Sequence, residues 1–227
     1  MSPQKSSVPG RRVALQWLAA VPTVALMAPA PQARAQSAFD KVFEAVDANQ
    51  AATVRALLAR GIDVNTTDKD GNTLLARAAQ HGHRDVFNVL MAAGARLETR
   101  NRFGETPLMY AALGGSEGIV RELLGRRVRI NTDEPAWTAM HYAALRGHDG
   151  VLALLLDAGA DINAASDNGT TPLMMAASEG RADAVALLLR RGADATRTTD
   201  AGRTAAAWAR SAGQQRIAEM IEAAPRR

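Results

Sequence analysis

Threonine recurs at positions 73, 106, 138, 171 and 204, each time at the head of the same pattern. The intervals are 33, 32, 33 and 33 residues. GETPLMYAALGGSEGIVRELLGRRVRIN at 104–131 lies in register with GTTPLMMAASEGRADAVALLLRRGADAT at 169–196. A weaker copy, VRALLARGIDVN at 54–65, precedes the series, and a degenerate one, GRTAAAWARSAGQQRIAEMIEAA at 202–224, follows it. A fixed period of this length restricts the chain to a stacked array, because one such unit cannot bury its apolar face alone.

Each part of the unit has a physical reading. Thr106 and Thr171 precede proline. Threonine at the N-cap followed by proline at the first helical position starts a helix. Ala111-Ala112, Ala143-Ala144 and Ala176-Ala177 are small enough for neighbouring helices to approach closely. Gly82, Gly115, Gly147 and Gly180 stand where a left-handed residue would end this first helix. A second helix follows, with a buried stripe at three- and four-residue spacing, such as Val151-Leu152 and Leu155-Leu156. Gly61, Gly94, Gly159 and Gly192 end it in the same way. The polar stretches 68–72 and 167–170 suit turn-rich fingers between repeats. Met109, Met140, Met174 and Met175 fall near helix starts and are expected in the core.

Threonine, proline, leucine, the paired alanines, the glycine-histidine turn, the Leu-Leu helix and the closing G-A-D-x-N together resemble the ankyrin repeat, over about residues 39–224. The resemblance implies an all-α ankyrin repeat solenoid, with helix-turn-helix pairs joined by hairpin-like fingers. About six repeats are expected, near 38–67, 68–100, 101–132, 133–165, 166–198 and 199–227. The first lacks Thr-Pro and offers Phe39, Val42, Phe43 and Val46 at helical spacing. The last places Gln214, Gln215, Arg216 and Glu219 where an outer face would lie. Both are expected to be caps.

The junction of the third and fourth repeats departs from the pattern. It is one residue short, Arg127 replaces the glycine that ends the second helix, and Ala136 replaces the finger glycine beside Pro135. A non-glycine residue in a left-handed cap costs roughly 1 kcal/mol. A distorted finger is expected here. Arg126, Arg127 and Arg129 gather nearby and could meet an acidic partner.

Residues 1–35 read as a secretory signal peptide. Lys5, Arg11 and Arg12 precede an apolar stretch from Val13 to about Ala30, and Ala33-Arg34-Ala35 forms an A-x-A site before Gln36. Cleavage near Ala35/Gln36 is expected, and a retained membrane anchor is the alternative. Arg11-Arg12 leaves twin-arginine export open beside the Sec route. An alanine- and arginine-rich, lysine-poor composition suits a bacterium, so the expected compartment is the periplasm. The formal net charge of +4 belongs entirely to this segment, which has four basic residues and no acidic one. The remaining 23 Lys+Arg balance 23 Asp+Glu, so charge does not support a nucleic-acid partner. Without cysteine there are no disulfides and no thiolate metal sites.

Residues 114–118, GGSEG, spell the nucleophile elbow of serine hydrolases. That elbow requires a strand running into a helix. In the repeat register, Ser116 instead lies between two helices, in the slot of His83, His148 and Arg181. Its expected task is to cap the second helix beside Glu117. His83 and His148 share a framework slot and His141 occupies another, so no ligand set converges and neither metal nor cofactor is expected.

Surface remains. The resemblance implies a partner bound by finger tips and the concave first-helix face. The finger positions include Arg102, Phe103, Glu105, Glu134, Pro135 and Trp137; the helix positions include His81, Leu113, Leu145 and Arg146. Phe103, Leu113, Trp137 and Leu145 are expected to be exposed there, as interface anchors. Tyr110 and Tyr142 share a slot read as framework. The expected function is non-enzymatic: a monomer binding another protein, with no nucleic-acid partner and no membrane association after cleavage. An inhibitor or immunity protein acting on a toxin or enzyme is the alternative. An enzyme or metal protein is a further one.

Overall fold

The computed structural model describes residues 31–132 and 136–225. Among them run twelve helices and no strands, only two isolated bridges, Thr67 with Thr73 and Thr198 with Thr204. The first helices are α1 (Pro31–Asp47), α3 (Leu74–His81), α5 (Pro107–Leu113), α7 (Ala139–Arg146), α9 (Pro172–Ser178) and α11 (Ala205–Ser211). The second are α2 (Ala51–Ala59), α4 (Arg84–Ala92), α6 (Glu117–Gly125), α8 (Asp149–Asp157), α10 (Ala182–Arg190) and α12 (Gln215–Glu222). Each first helix packs on the next first helix, and each second on the next second, giving two layers. This is the all-α solenoid the period dictates.

Threonine starts the first helices as expected. The Oγ of Thr73 accepts from the Ala76 N–H at 3.1 Å, that of Thr106 from Met109 at 3.4 Å, and that of Thr171 from Met174 at 3.4 Å. The paired alanines are fully buried from Ala78-Ala79 to Ala176-Ala177, and the four methionines lie in the core. Val42 and Val46 of α1 are buried, with Phe43 beside them and Phe39 packed against the core, as a cap requires. In the last repeat Gln215, Arg216 and Glu219 face solvent, while Gln214 is half-exposed, with its side chain against Gly180.

Two sets of side chains tie neighbouring repeats together from the first to the fifth. One starts from the turn between the helices. His83 donates through Nδ1 to the Val46 carbonyl at 2.8 Å, His148 through Nε2 to Leu113 at 3.1 Å, and Arg181 through Nε to Leu145 at 3.2 Å. The other is a ladder at the ends of the second helices. Asn65 accepts from the Arg96 N–H, Glu98 from Arg129, Asn131 from Asp161 and Asn163 from Asp194, at 2.5–2.9 Å. Glu98 thus takes the place of the repeat's asparagine and performs its task.

Ser116 corrects one expectation. It is the N-cap residue of α6, but its side chain caps nothing. It is too short for the reach its slot makes elsewhere. Arg127 holds the left-handed conformation at φ 57°, the strain expected of it. Asp133, Glu134 and Pro135, where the distorted finger was expected, lie outside the described residues, as do residues 1–30 of the expected signal segment. The expected cleavage point falls on α1.

Candidate partner-binding face

The position four residues after the capping threonine holds Arg77, Tyr110, Tyr142 and Trp208, all half-buried, and the buried Met175. The finger contributes the residue just before that threonine: Asn72, Glu105, Trp137, Thr170 and Arg203. These two rows meet. At the first junction Arg77 reaches Asp47 at 2.5 Å and Asp68 at 3.2 Å, with its guanidinium over the Phe43 ring.

In the middle repeats the rows form a polar knot. Tyr110 Oη donates to Glu105 at 2.8 Å and lies 2.8 Å from Asn72 Oδ1. Tyr142 Oη donates to the other carboxylate oxygen of Glu105. Asn101 Nδ2 reaches Asn72 and Glu105, both at 2.7 Å. Burial would push the Glu105 carboxyl up, but the hydrogen bonds from Tyr142, Asn101 and Tyr110 outweigh it and hold the group below its ordinary range. The same burial, joined by the adjacent carboxylate, drives both tyrosine hydroxyls well above their usual value. Glu105 therefore stays ionised and both tyrosines stay protonated, so the knot is electrostatically settled.

The knot also fixes a finger. Asn101 Oδ1 accepts from the N–H of Phe103 and of Glu105, each at 2.9 Å. Phe103 projects from that finger with 75% of its surface exposed, where the only other exposed large apolar residue among those described is Met220 at 37%. Arg102 beside it is exposed and joins the preceding finger through its N–H and the Asp70 carbonyl, 3.1 Å apart.

The remaining expected anchors divide. Arg146 and His81 are exposed, His81 stacked on His83 with ring centres 5.3 Å apart. Leu113, Trp137 and Leu145 are not fully exposed as expected; they are half-buried. Trp137 turns inward and packs on Tyr142 at 5.3 Å and on His141 at 5.7 Å. An indole at this slot has more apolar surface to cover than its finger supplies, so it folds onto the neighbouring rings. Sequence reasoning missed the Glu105–Tyr110–Tyr142 knot. The signal available to it was the recurrence of tyrosine in the helix slot beside an acidic finger residue.

A family model described as ankyrin repeats (3 copies) matches residues 93–166 and 154–223, and one described as ankyrin repeats (many copies) matches 42–91. The chain belongs to the ankyrin repeat family. Ankyrin repeats generally act as protein–protein interaction modules, and the family is typically non-enzymatic. No curated protein matches the chain in sequence. Among solved structures, the crystal structure of the human ASB11 ankyrin repeat domain aligns with a TM-score of 0.62 at 22% identity, covering 81% of this chain and 98% of that one. That likeness concerns the fold. Among the described residues no three His, Asp or Glu side chains cluster as a metal site, and no helix is long and apolar enough to cross a membrane.

Proposed function

We propose that this ankyrin solenoid is an exported, monomeric, non-enzymatic binding protein of the periplasm, which holds another protein against its fingers and first-helix face. The observation that carries the reading is Phe103. A phenyl ring three-quarters exposed costs solubility unless something covers it, and its finger is held in place by Asn101 before any partner arrives. Arg102, His81 and Arg146 supply a polar surround, while Leu113, Trp137 and Leu145 add half-buried apolar surface.

The test is to tag the protein, crosslink it in its native compartment and compare it with Phe103→Ala. A specific partner lost in the variant supports the reading, and a partner retained moves the interface elsewhere. A bound partner whose own activity falls would define the protein as an inhibitor. Mass spectrometry of the recovered chain decides the export reading: residues 1–35 found intact would refute cleavage.

A further inference from the structure

The edge where the second helices end carries a charge reversal. In the G-A-D-x-N turn the aspartate slot holds Asp63, Asp161 and Asp194, but Arg96 and Arg129 in the second and third repeats. The three aspartates close a local turn, accepting from the N–H two residues on at 2.8–2.9 Å. Arginine forgoes that bond. In the third repeat the glycine slot holds Arg127, at φ 57°, where the other repeats use glycine. Arg126 differs as well. Its counterpart Arg191 is tied back to Asp157 at 2.8 Å, but the residue in Asp157's slot before Arg126 is Ala92, and among the described residues Arg126 pairs with Glu122 of the preceding helix, at 3.3 Å. Arg96, Arg126 and Arg127 are exposed and border a single open cleft of about 570 Å³, floored by Leu97 and Val128. Two departures, Arg96 and Arg127, each give up a local turn preference and both bring arginine to this cleft, where Arg126 joins them without the tie its counterpart has.

We propose that this cleft is a second interaction surface, which takes a short acidic segment of a partner protein. Its guanidiniums meet carboxylates, and Leu97 and Val128 take an apolar side chain between them. An extended segment is favoured over an anionic membrane by what flanks the cleft. Asp63 lies on one side along the same edge, and Asp161 and Asp194 lie on the other. A flat anionic surface would meet those carboxylates, whereas a segment lying over two repeats meets arginine. Glu98, which stands in the cleft wall, is occupied by the Arg129 N–H.

The test uses the purified protein and a fluorescein-labelled peptide of alternating glutamate and leucine, with a glutamine-for-glutamate peptide and phosphatidylglycerol vesicles beside it. Arg96→Asp/Arg127→Gly restores the repeat's own residues, so it keeps the fold, which a melting curve checks. The acidic peptide should bind, and the glutamine peptide should not. Affinity should fall about tenfold in the double variant, by roughly 0.7 kcal/mol per lost arginine. Phe103→Ala should leave it unchanged, which separates this site from the first-helix face. Equal binding by the double variant, loss of binding in Phe103→Ala, or capture of vesicles without the peptide would each overturn the proposal.

Discussion

His141 donates through Nε2 to the Thr170 carbonyl at 2.9 Å, while its Nδ1 accepts the Thr138 N–H at 3.1 Å. A main-chain N–H can only donate, so Nδ1 is bare and the ring is a neutral Nε2–H tautomer. Fully buried, it links the start of α7 to the next finger. Burial pushes its pKa down, with the Thr170 carbonyl and Asp161 opposing. The unfolded chain therefore binds the proton more readily. Stability is intact above the unfolded value of about 6.5 and is lost as pH falls below it, at up to about 1.4 kcal/mol per pH unit. Urea unfolding at pH 7 and pH 5 should show the loss, and His141→Leu, though less stable at pH 7, should show less of it.

Arg127→Gly relieves the one left-handed arginine among the described residues. The variant should gain about 1 kcal/mol, raising the melting temperature by about 2–4 °C. An unchanged or lower midpoint would mean that the arginine side chain makes contacts worth the strain.

Glu105→Ala leaves two phenols and Asn101 without their shared acceptor, and should cost about 1–3 kcal/mol. The chain has only two tyrosines, Tyr110 and Tyr142, so alkaline absorbance titration reads the knot directly. The native protein should show no ionisation step near the ordinary value of about 10. The variant should titrate earlier, because the neighbouring anion is gone. The carboxylate's own contribution has the acid-side sign: with its pKa lowered in the fold, it stabilises above the unfolded value of about 4.3 and fades as pH falls below that.

Phe103→Ala and Trp137→Ala separate binding from folding. Phe103 is exposed, so its loss should change stability by less than about 0.5 kcal/mol. Trp137 packs on Tyr142 and His141, so its removal should cost about 1–3 kcal/mol. Thermal melts of the two variants would show the asymmetry, and equal costs would refute the packing read for Trp137.

In the GGSEG turn the strict position is Gly114, not Ser116. A Cβ at 114 would stand 1.9 Å from the Gln80 carbonyl oxygen, while the other repeats carry His81, Arg146 and Glu179 there. Gly114→Ala should therefore destabilise by about 1–3 kcal/mol as α3 and α5 are forced apart. Ser116→Ala, with no capping bond to lose, should cost less than about 0.5 kcal/mol.

The helices, their glycine stops, the threonine caps and the buried alanines were legible because each follows from a local rule repeated at a fixed interval. Arg127 was legible as strain for the same reason: one departure stands out against four conforming copies. What escaped was lateral. The Glu105 knot joins residues 37 apart, Glu105 and Tyr142, and no periodicity states which side chains of adjacent repeats touch. Trp137 shows the same limit, since the residues in its slot run from buried Thr170 to exposed Arg203 and only its contacts with Tyr142 and His141 show where the indole lies. Gly114 opens the GGSEG string, but its reason lies in the Gln80 carbonyl on another helix, which no local pattern states.

The side-chain ladder at the second-helix ends works as a set of angular spacers. Each rung fixes how far one repeat is rotated on the last, and the offsets accumulate along the stack. Three rungs use asparagine, and Glu98 is one methylene longer. Its carboxylate spans the junction between the second and third repeats, so shortening it to asparagine should shift the aim of every later finger together. A curvature that a single side chain can trim lets such a chain be refitted to a new partner without altering any residue that touches it.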